Sequence, residues 1–136
     1  MAGITTKGAY GLAAMYELAL HYKQGHLKIQ EIAEKANIPS NYLEQILSPL
    51  RKEGLIQSIR GAGGGYRLMK PPGEISVYTV LLTLEGDLCL IQEGSNQVLN
   101  NMWERTRDEL KELFKETLQD LVDEGARLDE QSMFFI

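Results

Sequence analysis

The chain has 136 residues, a formal net charge of -5 and one cysteine, Cys89. This length suits a single domain with its own core, and one cysteine excludes an intramolecular disulfide. The sequence has no apolar run of about 18 residues and no basic-then-apolar leader, so we expect a cytoplasmic protein that does not cross a membrane.

The charge is divided between the two parts of the chain. Residues 1–72 hold nine Lys and Arg against five acidic residues, a net charge of +4, whereas the remainder carries -9. Screening at physiological salt acts within roughly 8 Å, so a nucleic acid bound to the first part would experience mainly its positive charge. Such binding would weaken as salt rises.

The first predicted helix runs from about Thr6 to Tyr22, with Thr5 or Thr6 as its cap. Thr6 and Lys7 lie at its N-terminus, where the positive end of the helix dipole favours a phosphate. Gln24 and Gly25 then end the helix, and residues 26–29 are predicted to form a short strand.

A pair of helices is predicted between residues 29 and 53. Apolar residues first recur at helical spacing over Ile29–Ala36; Asn37 then favours a sharp stop, and Pro39 with Ser40 favours a new start. The second helix has an apolar stripe that includes Leu43 and Leu50. Its other side is polar, with side chains able to contact base edges or phosphates, although a merely solvated face is the alternative. These candidates are Ser40, Asn41, Tyr42, Glu44, Gln45, Ser48 and Arg51.

A hairpin, or wing, is predicted over residues 55–68. Residues 55–60 have the β-branched content of a strand, residues 66–68 can pair back onto them, and four glycines lie in residues 61–65. Glycines allow close approach to a partner, and a neighbouring guanidinium suits a minor groove or a phosphate. An ordinary hairpin loop is the alternative; a nucleotide-binding loop is less consistent, because no Gly-Lys-Ser/Thr follows. The candidate contacts are Arg60, Gly61, Gly63, Gly64 and Tyr66.

The C-terminal part is predicted to be mainly one long helix. Ser76 caps a short helix over residues 77–84, a linker spans 86–95, and a periodic apolar pattern extends over about 96–124. A helix of that length would span about 43 Å, so one stripe of it needs a partner, for which a second copy is the main interpretation and its own head the alternative. An apolar tail, residues 132–136, is expected to dock. The predicted interface residues are Leu99, Met102, Trp103, Thr106, Leu110, Leu113, Phe114 and Leu118.

The sequence predicts neither catalysis nor a metal site. No nucleophile with a base and no carboxylate pair occurs at a recognisable spacing, and no cofactor is expected. His21 and His26 lack further ligands at metal-binding spacing, so we expect both to face solvent.

Several runs of the sequence resemble the Rrf2 family of bacterial transcription regulators. They are Thr5-Thr6-Lys7-Gly8-Ala9-Tyr10, Tyr42-Leu43-Glu44-Gln45, Ser48-Pro49-Leu50-Arg51-Lys52, Ser58-Ile59-Arg60-Gly61 and Gly64-Gly65-Tyr66. The resemblance implies a mainly α fold with a small β wing: a winged helix-turn-helix head (1–85), a linker (86–95) and a dimerisation helix with its docked tail (96–136). It also implies a homodimeric repressor or activator that binds double-stranded DNA, with the second helix in the major groove. A winged helix used only for protein contacts remains the alternative.

The linker distinguishes branches of this family. Members with an iron-sulfur cluster carry three cysteines there, whereas this chain has only Cys89, too few for such a cluster. The chain is similar instead to the cluster-free, CymR-like regulators of cysteine metabolism, which implies cysteine synthase as a partner. That similarity is carried by residues 47–51, 59–62, 64–66, 105–110 and 133–136. Cys89 is either a thiol switch or a small apolar filler.

Overall fold

The structure, a computed structural model, describes residues 4–86 and 94–133. Six helices and one two-stranded sheet form in these ranges, with a 3-10 turn at Pro72–Glu74. This confirms the predicted fold class, mainly α with a small wing. The elements are α1 (Thr6–Leu20), α2 (Ile29–Ala36), α3 (Ser40–Lys52), β1 (Ile56–Ile59), β2 (Gly65–Leu68), α4 (Val77–Glu85), α5 (Gln97–Leu113) and α6 (Leu118–Met133).

The helix pair forms with the predicted boundaries. Asn37 takes the left-handed conformation, with φ of 55°, and ends α2. The N–H of Ile38 then donates to the carbonyl of Ala33 over 2.9 Å, which closes the turn before α3 begins at Ser40. This local geometry sets the crossing of the two helices.

Helix α3 continues through Pro49, although a proline inside a helix costs about 3 kcal/mol. Four side chains on its inner face are at most 1% exposed. Burying each contributes roughly 1.5–3 kcal/mol, so their sum exceeds the proline penalty. They are Leu43, Ile46, Leu47 and Leu50.

The wing is an antiparallel pair in which Ile56 lies opposite Leu68. The strand predicted over residues 26–29 is reduced to one bridge, in which Leu27 and Tyr66 exchange backbone hydrogen bonds of 2.9 and 2.8 Å. Lys28 leaves the strand because its N–H donates to the Glu31 carboxylate over 3.1 Å, which starts α2. The expected strand was therefore too long.

The prediction of one continuous helix over 96–124 was wrong. Helix α5 ends at Leu113, and α6 starts at Leu118. Thr117 and Asp120 cap α6 reciprocally: the Thr117 N–H donates to the carboxylate over 2.9 Å, and the Asp120 N–H donates to the threonine Oγ1 over 3.1 Å. This capping box starts a new helix where the apolar periodicity alone suggested continuation.

The turn between α5 and α6 docks on the N-terminus of α4. The carbonyls of Phe114 and Glu116 accept from the N–H groups of Tyr78 and Val77 over 2.9 and 2.8 Å. The Ser76 side chain accepts from the Thr79 N–H over 3.1 Å, as predicted for a cap. Three N–H groups that the start of α4 would otherwise leave unpaired are thereby satisfied.

Helix α6 contributes to the core of the head. Leu118 is 0% exposed, and its N–H donates to the carbonyl of Ile75 over 2.9 Å. The assignment of Leu118 to a dimer interface was therefore wrong, because burial within its own chain leaves it no surface for a partner. The second half of the predicted long helix therefore packs on the head of the same chain, which was the alternative to packing against a second copy. The same core contains Met15, Leu18, Leu27, Ile32, Ile56 and Val80.

Cys89 and most of the linker lie outside the described residues, as do Phe134, Phe135 and Ile136 of the apolar tail. The predictions for these segments stay predictions.

Candidate nucleic-acid interface

Helix α3 presents a polar face to solvent. Its inner stripe is buried, and Ser40, Asn41, Tyr42, Glu44, Gln45 and Arg51 are exposed, while Ser48 is half-buried. The hydrogen-bonding groups that Asn41, Glu44 and Gln45 offer are those that discriminate adenine and cytosine in a major groove. The helix can therefore read base edges without rearranging the core behind it.

An aromatic contact positions the start of α3 against α1. The rings of Tyr10 and Tyr42 meet edge to face, with centroids 6.1 Å apart and an interplanar angle of 85°. Lys7 lies about one turn before Tyr10 on α1, so the N-terminal ends of α1 and α3 are near each other. Thr6 and Lys7 therefore lie in the turn of α1 that precedes this contact with α3.

A carboxylate already occupies the N-terminus of α1. Oε1 of Glu85 accepts from the Thr5 N–H over 2.8 Å, the Thr5 hydroxyl over 2.6 Å and the Gly8 N–H over 2.9 Å. Partial burial raises the pKa of Glu85, but these hydrogen bonds and the Lys7 charge outweigh it and bring the pKa below its ordinary 4.5. Two of the amides expected to favour a phosphate are thus already paired with Glu85, and Lys7 is the cationic side chain at this end of α1.

The wing loop is shaped by close backbone packing. Gly61 has a φ of 110°, which disfavours other residues. The Gly64 N–H donates to the Gly61 carbonyl over 3.0 Å, and a Cβ at Gly64 would lie 2.1 Å from the Ile59 oxygen. The loop is therefore a tight turn that excludes a side chain at position 64, and Arg60 is exposed beside it.

A groove of about 420 Å³ separates α3 from the wing. It brings together six of the predicted site residues: Glu44, Arg51, Arg60, Gly61, Gly64 and Tyr66. Ser48 lines a smaller depression beside it, with Glu44, Arg51 and Tyr66. The other predicted residues lie outside the groove, on the first turn of α1, the first two turns of α3 and the wing tip: Thr6, Lys7, Ser40, Asn41, Tyr42, Gln45 and Gly63.

Sequence reasoning missed Lys28, Gln30 and Ser58, which also line the groove. Lys28 and Gln30 flank the start of α2, and the first helix of a helix-turn-helix crosses the nucleic-acid backbone in known complexes. The predicted N-terminus of α2 was therefore the signal that would have indicated Lys28 and Gln30. With Lys28, the groove has three cationic side chains against one carboxylate, that of Glu44.

Comparison with known proteins assigns this arrangement to a family. The family model described as Rrf2, iron-dependent transcriptional regulator, matches residues 4–124, which include the helix pair, the wing and the polar face. The chain belongs to the Rrf2 family. It is 40% identical to the HTH-type transcriptional regulator CymR of Bacillus subtilis (strain 168), over 98% of this chain and 99% of that protein.

Two further comparisons agree with the Rrf2 assignment. The HTH-type transcriptional regulator IscR of Pectobacterium carotovorum subsp. carotovorum (strain PC1) is 35% identical, over 93% of this chain and 82% of that protein. The solved structure of CymR, the global cysteine regulator of B. subtilis, gives a TM-score of 0.77 at 40% identity, covering 90% of this chain and 98% of that one. The chain is thus an Rrf2-family helix-turn-helix transcriptional regulator similar to CymR and IscR.

The residues of this Rrf2 chain do not fit an iron-sulfur cluster. Such clusters are held mainly by several cysteine thiolates, and the sequence contains one cysteine. Over residues 4–86 and 94–133, no group of three or more His, Cys, Asp or Glu side chains is placed to hold a metal ion. The family is described as iron-dependent, but this chain has too few thiolates to hold such a cluster.

The two histidines are half-buried, not fully solvent-facing as expected. His26 contacts the wing loop through its Nε2 atom. In the part of the chain that the structure describes, no helix is both long and apolar enough to span a bilayer.

Helix α5 carries the other predicted interface. None of its residues is buried, and Val98, Leu99 and Leu113 are 76%, 46% and 72% exposed. Met102, Trp103, Thr106 and Leu110 are half-buried, as is Phe114 just beyond the helix. Sequence reasoning missed Val98, which lies one position before the predicted stripe begins. Within residues 4–86 and 94–133, this apolar face of α5 is thus left partly exposed.

Proposed function

We propose that this Rrf2-family protein is a homodimeric repressor that recognises a palindromic operator in double-stranded DNA, with α3 in the major groove and the wing at the adjacent minor groove or backbone. The observation that carries the proposal is the groove in which Arg51 of α3, Arg60 of the wing and Lys28 before α2 lie together. Three cations on three separate elements suit a phosphate backbone that passes between helix and wing.

The polar face of α3 supplies the sequence readout in this proposal. Asn41 and Gln45 read adenine, Glu44 accepts from cytosine, and Ser40 and Ser48 bond to bases or phosphates. Tyr42, Tyr66 and Thr6 flank the DNA, and Lys7 contacts a phosphate. Gly61, Gly63 and Gly64 let the wing approach closely.

In this proposal, dimerisation through α5 sets the distance between the two copies of α3. The proposed interface comprises Leu99, Met102, Trp103, Thr106, Leu110, Leu113 and Phe114, and we add Val98, which is 76% exposed. A two-fold axis through this face places two copies of α3 about one DNA turn, roughly 34 Å, apart. In this proposal the head (1–85) binds DNA, the C-terminal part (96–136) forms the dimer, and the linker (86–95) connects them.

The proposed targets are genes of sulfur and cysteine metabolism, and the proposed protein partner is cysteine synthase. Support comes from the 40% identity to CymR, the global cysteine regulator of B. subtilis. Such a regulator acts on DNA in the cytoplasm.

The testing experiment is selection of random duplexes by the purified full chain, followed by sequencing, at about 50 and 200 mM salt. We expect an enriched palindrome with half-sites about one turn apart and weaker binding at the higher salt. Operators upstream of sulfur uptake and cysteine synthesis genes would support the proposed targets. No enrichment at either salt concentration would contradict sequence-specific binding.

The partner needs its own measurement. Sedimentation of the protein mixed with cysteine synthase should show a heavier complex. Unchanged sedimentation of both proteins would contradict this partnership and leave the DNA-binding proposal standing.

A further inference from the structure

His26 joins the turn after α1 to the tip of the wing. Its Nε2 atom is hydrogen-bonded to the carbonyl oxygen of Gly63. Its ring also lies over β2, because the Cδ2 atom is 3.0 Å from the place where a Cβ on Gly65 would be. The neighbouring Leu27 pairs with Tyr66 through two backbone hydrogen bonds. The imidazole is thus carried on a segment that is fixed to the sheet.

Beside this contact, the wing tip is held by the hydrogen bond that the Gly64 N–H donates to the Gly61 carbonyl over 3.0 Å. A Cβ at Gly61 or Gly63 would have no neighbour within 4 Å in the described chain, so the side-chain positions of the tip are open. Ordering each residue costs conformational entropy, and glycine loses the most. A side-chain hydrogen bond to a tip carbonyl lowers the cost that DNA binding would otherwise have to offset.

We infer that His26 is a positioning residue of the DNA-binding wing, which holds the Gly63 carbonyl and so fixes the tip before DNA is bound. The inference rests on the proposed function. It adds a residue outside the wing to the machinery that presents Arg60 and the glycines to DNA.

The chemistry requires a proton on Nε2, since a carbonyl oxygen can only accept. Glutamine at this position would place its Nε2 the same number of bonds from Cα and would keep a donor. Phenylalanine would keep a ring over Gly65 and remove the donor. These two substitutions therefore separate the hydrogen bond from the packing.

The experiment compares wild type, His26→Phe and His26→Gln in affinity for the selected operator over a salt series. It also follows amide hydrogen exchange of the free proteins at Gly63 and Gly64. His21→Phe is the matched control, because His21 is the other histidine, is equally half-buried and does not line the groove.

We expect His26→Phe to weaken binding about five-fold, the effect of losing one hydrogen bond, and to speed exchange at the tip. The slope of log affinity against log salt should stay unchanged, because no phosphate contact is lost. His26→Gln should restore both affinity and exchange protection, and His21→Phe should match wild type.

Three results would overturn the inference: unchanged affinity in His26→Phe, equal loss in His26→Gln, or a salt slope lower by about one, which indicates a direct phosphate contact instead. Wild type that selects no duplex would contradict the proposed function instead. Exchange at the tip would then decide separately whether His26 orders the wing.

Discussion

At the scale of single residues, Arg60 is an exposed cation of the wing and lines the groove that faces α3. If it contacts phosphate or the minor groove, Arg60→Ala should weaken operator binding about tenfold and lower the salt slope by about one. Titration of labelled operator at several salt concentrations measures both. Arg127→Ala, at an exposed position of α6, is the matched control. Equal affinities for the two variants would contradict the role of the wing.

Glu85 gives a prediction that depends on pH. Because three hydrogen bonds lower the pKa of Glu85 in the folded protein, its ionised form stabilises the fold above the unfolded pKa near 4.5. Glu85→Ala should lower the free energy of unfolding by about 1 kcal/mol at pH 7. That difference should shrink as pH falls below 4.5 through the lower folded pKa. Urea unfolding of Glu85→Ala and an exposed control, Glu130→Ala, tests this, and a difference independent of pH would contradict it.

Residue roles were predictable where exposure follows from local pattern. The stripe of Leu43 and Leu50 decides which side of α3 is buried, so the exposed polar set could be read from spacing alone. Spacing alone did not indicate Lys28 and Gln30, because they reach the groove through the packing of α2 beside the wing. Their position at the start of the first helix of the pair was the signal for them. The contact of Glu85 with Thr5 spans 80 residues, and no local pattern encodes it.

At the scale of elements, the same contrast appears between α2 and α6. The boundaries of α2 follow from an apolar stripe and Asn37, both local signals. The start of α6 also has a local signal, the capping box of Thr117 and Asp120. The apolar periodicity continues on both sides of it, so the pattern predicted one helix. Leu118 continues the apolar spacing of α5, but its side chain is buried in the core of the head, whereas the apolar side chains of α5 are not buried. Periodicity alone does not distinguish one helix from two.

The capping box therefore gives a test at the level of one element. Asp120→Ala should lower the free energy of unfolding by about 1 kcal/mol, because the Thr117 N–H loses its partner at the start of α6. Asp123→Ala, one turn later and also exposed, should change stability less. Chemical denaturation of the two variants makes the comparison. Equal stabilities would indicate that packing of Leu118 alone starts the helix.

At the scale of the whole molecule, the exposed apolar face of α5 predicts the assembly. Leu99→Lys should convert a dimer into monomers and weaken operator binding by at least tenfold, because one head alone makes half of the contacts. Asn101→Lys adds the same charge at an exposed position of α5 outside the stripe and should leave the dimer intact. Sedimentation equilibrium measures the mass of each variant. A Leu99→Lys dimer would place the interface elsewhere.

The connection between α4 and the turn at residues 114–116 has a consequence for variation among related chains. Main-chain carbonyls of Phe114 and Glu116 make this joint, so its geometry does not depend on which side chains stand there. Consider a chimaera that joins residues 1–95 of this protein to the corresponding C-terminal part of a relative. Its turn should dock on α4 at the same angle, provided that an apolar residue occupies position 118. Under the proposed function, operator preference and pairing preference would then be separate traits that such chimaeras exchange one at a time.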